Sequence, residues 1–312
     1  MASESWPELP YEAWKDTYAT LHMWTQIVGK VALALAPPLN HSWAIAMHLT
    51  PRGLSTRTLP HGKRTFTAEF DFIDHKLVIR ASDGLVRSTD LKPRSVADFY
   101  REVMSMLAGM GLPVRIWPVS TETPTPIRLD QDEAHHSYDP EYAHRVWRIL
   151  ALSERVFMHT RCQFVGKGSP VHFFWGSFDL AVTRFSGRPA PPREGPAFMQ
   201  EAYSHEVISA GFWPGAEILP EPVYYAYAAP EPPGFREGKV TPESAYYNTV
   251  LGGEYILPYE AVRLAADPER ELRAFVESTY TLGATLGGWD RKALERQPVQ
   301  LAADPSKAKA AR

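Results

Sequence analysis

Two hydrophobic periods alternate along the chain, and each assigns its own segments. Trp14, Tyr18, Leu21, Trp24 and Val28 recur every three or four residues, which predicts a helix over 12–28 ended by Gly29. Pro37-Pro38 breaks the chain, and 41–50 then reads as a strand. Residues 64–74 alternate, with Phe66, Ala68, Phe70 and Phe72 on one face and Thr65, Thr67, Glu69 and Asp71 on the other. Residues 76–81 and 85–91 read as a hairpin turning at Ser82-Asp83-Gly84. The helical period returns over 95–110, with Ser95 as N-cap and Val96, Phe99, Val103 and Leu107 as the apolar stripe. A short strand over 112–119 precedes a polar, Pro-containing linker, 120–138.

The second half follows the same order. Asp139-Pro140 starts a helix, with Asp as cap and Pro at the first helical position, and Val146, Ile149, Leu150, Val156 and Phe157 as its buried stripe. Residues 171–185 read as one long, mostly apolar strand, followed by the Pro-rich stretch SGRPAPPREGPAF. Further strands are predicted over 201–210, 223–229 and 245–257. Asp267-Pro268 opens the last helix, with Leu272, Phe275, Val276 and Tyr280 buried. Short matches point to duplication. IVGK at 27–30 answers FVGK at 164–167, His41 and His172 each open the next strand, and AEFDFID at 68–74 aligns with YSHEVIS at 203–209, setting Asp71 against Glu206. The expected fold is α+β: two tandem helix–four-strand–helix repeats whose antiparallel sheets join across a pseudo-twofold, with helices packed on one face. The repeats span 1–119 and 139–295, the second carrying the candidate site, and 296–312 is a flexible tail.

Composition narrows the classes of function. Lys and Arg number 33 against 36 Asp and Glu, a net charge of -3. That balance lacks the basic surface that neutralises phosphates, so no nucleic-acid partner is expected. The single Cys162 excludes an intramolecular disulfide framework and a multi-Cys zinc cluster. No stretch approaches the ~18 apolar residues of a membrane span, and the N-terminus lacks the basic and apolar regions of a secretory signal. The expected location is the cytoplasm. The 28 prolines are spread over the chain and imply many loops with fixed entries. The P-loop, Rossmann, nucleophile-elbow and zincin patterns are absent, which removes the common nucleotide-dependent and zinc-peptidase readings.

Several stretches carry a family resemblance: WPELPYEAW, YATLHMWTQIVGKV, FDFIDHKLVIR, RSVADFYREVM, SPVHFFWGSFDLAVTRFSGR and AYSHEVISAGFWPG. Together they resemble an uncharacterised bacterial family, the domain of unknown function numbered 5996, and the last two are long and specific. The resemblance covers roughly residues 6–295. It implies one full-length member and brings no activity, cofactor or catalytic assignment.

The chemistry must therefore come from the residues. Read as one strand, 171–185 places His172, Phe174, Leu180, Val182 and Arg184 on one face and Phe173, Trp175, Ser177, Asp179, Ala181 and Thr183 on the other. A buried Asp179 in so apolar a run needs a partner. Over 203–209, Tyr203, His205, Val207 and Ser209 share a face, and Ser204, Glu206 and Ile208 share the other. The expected catalytic residues are Asp179, His205 and His172. In one version His205 is a general base oriented by Asp179. In the other, His172, Asp179 and His205 ligate a divalent metal, the candidate cofactor, with iron or zinc the best match. Trp175, Ser177, Arg184, Tyr203 and Glu206 are the expected substrate-binding residues, with Arg184 an anion anchor. Phe173, Trp175, Phe212, Trp213, Tyr224, Tyr225 and Tyr227 are candidate pocket aromatics, and the loop over 186–200 is expected to cover or flank the pocket. Ordinary packing competes with each assignment: a satisfied structural histidine, a solvated sheet face, core aromatics. The expected function is an enzyme acting on a small organic molecule by His/Asp acid–base or metal-assisted chemistry. The alternatives are a non-catalytic small-molecule-binding protein with an aromatic pocket, whose histidines point outward or into backbone hydrogen bonds, and an interaction scaffold.

Overall fold

The computed structural model describes residues 6–123, 125–195 and 197–297. Helix α1, Tyr11–Leu35, runs well past Gly29. That glycine is not a cap. A Cβ there would lie 2.2 Å from the Trp175 ring, so its missing side chain admits a neighbour. After Pro37-Pro38 a single 3-10 turn, Asn40–Ser42, replaces most of the strand expected over 41–50. His41 and Ser42 both adopt left-handed φ, 57° and 59°, which strand backbone does not permit. Only β1, His48–Thr50, remains extended.

The rest of the first half is β2 (Gly53–Ser55), β3 (Leu59–His61), β4 (Arg64–Asp71), β5 (Lys76–Ala81), β6 (Val86–Asp90) and α2 (Val96–Gly109). The alternation of β4 and the stripe of α2 stand as expected: Phe66, Ala68 and Phe70 are buried, as are Val96, Phe99, Val103 and Leu107, and Ser95 Oγ accepts from Asp98 N at 3.1 Å. Residues 112–119 form no strand; Val119 makes one bridge to Arg128. The 120–138 segment docks on α1. Gln26 Oε1 accepts from Thr121 N at 2.8 Å, and Thr20 Oγ1 accepts from Ser137 N at 3.0 Å.

The second half comprises α3 (Pro140–Cys162), β7 (His172–Phe174), β8 (Asp179–Pro189), α4 (Ala197–Ala202), β9 (His205–Trp213), β10 (Val223–Ala229), β11 (Tyr246–Asn248), β12 (Glu254–Pro258), α5 (Tyr259–Arg263), α6 (Pro268–Leu286) and α7 (Arg291–Leu294). The capping carboxylates Asp139 and Asp267 both accept backbone N–H bonds at the expected helix starts. The long strand expected over 171–185 is instead a hairpin. Residues 175–178 turn, Phe178 takes a left-handed φ of 59°, and Phe174 pairs with Asp179. The tail expected beyond 296 lies outside the described residues except for Arg296 and Gln297.

Each half is thus a long helix, six antiparallel strands and a second major helix, not the four strands expected. The sheet orders are β1-β2-β4-β5-β6, with β3 beside β4, and β11-β12-β10-β9-β8-β7. The first strand of each half meets the other at the junction. Met47 and Phe173 exchange two backbone hydrogen bonds, 2.9 and 2.8 Å, which joins the sheets edge to edge. The aligned stretches 68–74 and 203–209 fall on β4 and β9, each third from that junction. IVGK and FVGK do not correspond, since the first lies inside α1 and the second beyond α3.

One apolar core serves both halves, uniting Trp24, Phe70 and Phe99 with Ile149, Phe173 and Leu257. In the second sheet the two faces part. Arg184 Nη2 reaches Thr160 O on α3 at 2.8 Å and Tyr224 OH pairs with Ser153 Oγ at 2.8 Å, so Leu180, Val182, Phe212 and Tyr224 face the helices. The opposite face carries Asp179, Ala181, Thr183, Ser209, Tyr225 and Tyr227, and the short α4 is the one helix of the second half that lies against it among the described residues.

Candidate functional site

The face away from the helices forms the floor of a cavity of about 310 Å³. Its floor follows from cross-strand register. Ala181, Gly211 and Tyr225 stand side by side on β8, β9 and β10, and Thr183, Ser209 and Tyr227 form the next row. The roof comes from three segments remote in sequence: His41, Trp43 and Ile45 before β1, Thr121 and Glu122, and Phe198, Met199 and Ala202 of α4. The 186–200 stretch therefore contributes to the cavity wall through α4.

Asp179 sits at one end, 8% exposed. The Tyr225 hydroxyl donates to its Oδ2. That bond crosses β9, and it requires Gly211: a Cβ there would lie 2.4 Å from Tyr225 Cζ and OH. Burial, with Glu122 nearby, pushes the Asp179 carboxyl up to about 7, while the Tyr225 hydrogen bond acts in the opposite direction. Glu254 at the start of β12 is likewise pushed up to about 7, by burial and then by Asp179. The turn beside Asp179 is held from outside. His22 Nε2–H donates to Gly176 O at 2.7 Å, Trp175 Nε1–H donates to Ile45 O at 3.0 Å, and Ser177 Oγ–H donates to Glu122.

The other end lies near Phe185. Six residues of extended chain separate Phe185 from Asp179, about 20 Å. There the His41 ring is 4.6 Å from that of Phe185. His41 Nδ1–H donates to Ala202 O at 3.3 Å, and Lys167 Nζ donates to Nε2 at 2.6 Å. Burial and the Lys167 charge lower the His41 pKa, favouring the neutral ring. Tyr203 OH meets Tyr227 OH at 3.1 Å. These two rings also border a second cavity, of about 510 Å³, with Arg193, Glu231 and Glu254 on its wall.

The expected site residues separate. Asp179, Trp175, Ser177 and Tyr203 line the cavity. His205 shares the cavity face but opens β9 opposite Pro189, two residues beyond the Phe185–Val207 pair. It stands more than ~20 Å along the sheet from Asp179, with Ser204 Oγ at 3.1 Å from its Nδ1. The expected Asp179–His205 pair is not formed. His172 pairs across to Ala181 but is 2% exposed, packed against Phe174 and Trp43, and neither ring nitrogen has a hydrogen-bond partner among the described residues. Burial drives its pKa down to about 3. His172, Asp179 and His205 do not converge as metal ligands, and among the described residues no three His, Cys, Asp or Glu side chains do. Arg184 is no anion anchor in the cavity: it lies on the helix side, its guanidinium 4.1 Å from the Tyr280 ring centroid. Glu206 also faces away, paired with Arg188 at 2.6 Å. Of the candidate aromatics, Trp175, Tyr225 and Tyr227 line the cavity, whereas Phe173, Phe212 and Tyr224 belong to the core. Sequence reasoning did not connect Tyr225 to Asp179, nor bring Trp43, Glu122 or Glu254 to the site. The one available signal was the period-two spacing of Tyr225 and Tyr227.

Residues 6–296 match the model of a family described as a family of unknown function (DUF5996), and the chain belongs to that family. No curated protein and no solved structure matches it. Among the described residues no helix is long and apolar enough to cross a membrane.

Proposed function

We propose that this protein binds a small, elongated and largely apolar organic molecule in the cavity over the second sheet. The observation that carries the proposal is a long aromatic cavity holding one buried carboxyl, Asp179, at its end. Apolar walls with few convergent polar groups are the usual form of a small-molecule site. The histidines support binding over His-based chemistry: His22 and His41 donate to backbone carbonyls, and His172 is sealed among aromatics. The test uses the neutral fluorophore N-phenylnaphthylamine. The wild type is expected to bind it saturably at one site, with enhanced emission. Ala181→Phe and Ala202→Phe, which fill the floor and the roof, are expected to weaken binding while melting cooperatively. Equal binding by both folded variants would sink the proposal.

A second reading rests on a different observation. A carboxyl titrating near 7 beside a tyrosine hydroxyl is suited to proton transfer at neutral pH. In that reading Asp179 and Tyr225, without histidine, form the acid–base pair of an enzyme.

A further inference from the structure

We propose that the ligand of this cavity carries a protonated amine or quaternary ammonium head seated at the Asp179 end, with its apolar body extending along β8 toward Phe185. The inference rests on the cavity being a binding site and specifies what it selects.

Charge is the first argument. Among the described lining residues Asp179 and Glu122 carry acidic groups, and none is Lys or Arg. The groups acting on Asp179 come from several elements: Tyr225 on β10, Glu122 on the roof, Glu254 on β12 and Tyr18 on α1. All are acidic or neutral. Lys30 of α1 lies over the Trp175 ring at 5.7 Å from the centroid and is not a lining residue. An anionic head would meet like charges here. A neutral head would leave the ionised carboxylate uncompensated in a low-dielectric setting. A cation satisfies it by a charge-assisted hydrogen bond or direct ion pairing.

The walls agree. Phe174, Trp175 and Tyr225 surround this end, and aromatic faces attract cations. Orientation follows from the opposite end, where Lys167 donates to His41 and sits 4.6 Å from the Phe185 ring centroid. A cationic head is disfavoured there, and Phe198, Met199 and Val207 offer apolar contact instead.

The experiment is competition between bound N-phenylnaphthylamine and three matched probes, phenylbutylamine, phenylbutanol and phenylbutyrate, on the full chain. At about pH 8 the amine is expected to bind at least about tenfold more tightly than the alcohol, and the acid most weakly. The amine is expected to tighten as pH rises from about 5 to about 8, while phenylbutanol stays level, because Asp179 loses its proton over that interval. Asp179→Asn is expected to remove the amine's advantage and leave the alcohol unaffected. Glu122→Gln, at the roof, provides a milder variant expected to weaken only the amine, by a few fold. Fluorophore binding with an alcohol or acid that competes as well as the amine would overturn the head-group assignment and leave the cavity proposal intact. Retention of the amine's full advantage in both variants would overturn it too. Failure of the fluorophore and all three probes to bind would instead remove the cavity reading on which it rests.

Discussion

Asp179 concentrates the physical tension of the molecule in one side chain. It is buried among aromatics, and among the described residues its one side-chain donor is the Tyr225 hydroxyl. Its pKa rises from 3.8 to about 7. The folded chain therefore holds a proton that the unfolded chain releases near pH 4. The resulting stability is full below about pH 4 and is lost as pH rises through about 7, with a ceiling of ~4 kcal/mol. Asp179→Asn, which carries no charge at either end, is expected to melt close to the wild type near pH 4 and above it near pH 8, the gap opening between. Thermal melts across that range decide it; a constant gap would mean that the carboxyl does not titrate in the fold. Sequence made the buried acid visible, as a lone carboxylate in an apolar run. It did not show the partner. Tyr225 lies two strands away, and its reach across Gly211 depends on a β8–β9–β10 register that periodicity does not encode.

At the scale of elements, sequence was most legible where local chemistry decides. Asp139-Pro140, Ser95 and Asp267-Pro268 each supply a cap, and all three helices begin there. It failed where tertiary contacts overrode the pattern. The 175–178 turn hides inside a continuous apolar run, held from outside by His22 and the Ile45 carbonyl, and Phe178 adopts a conformation that its residue type does not advertise. Gly29 shows the same conflict in a testable form. Propensity alone predicts that Gly29→Ala strengthens α1 by ~1 kcal/mol. The Cβ would instead strike the Trp175 ring, and overpacking of that kind costs ~1–3 kcal/mol. A net loss of stability by urea unfolding is expected. A gain would mean that Trp175 moves aside freely, and that the turn beside Asp179 is less firmly held than its contacts indicate.

At the scale of the whole molecule, the two halves differ in strand order but share one core. Phe70 and Phe99 belong to the same apolar cluster as Phe173 and Leu257, and α1 packs on α3. Residues 1–119 and 139–295, produced separately, are therefore expected to show no cooperative thermal transition and to bind anilinonaphthalene sulfonate. A fragment that melted sharply would make the halves independent domains. The edge-to-edge join has one more consequence. Two separate sheets have at least four open edges, each a template on which another chain can add a strand. The Met47–Phe173 bridge closes two of them. Of the edges left among the described strands, β6 is exposed but carries Arg87 and Asp90, and β11 and β3 are each only three residues long. Charge and shortness both discourage strand addition. The bridge is thus a guard against aggregation, and a molecule opened at that point would expose β1 and β7 to its neighbours.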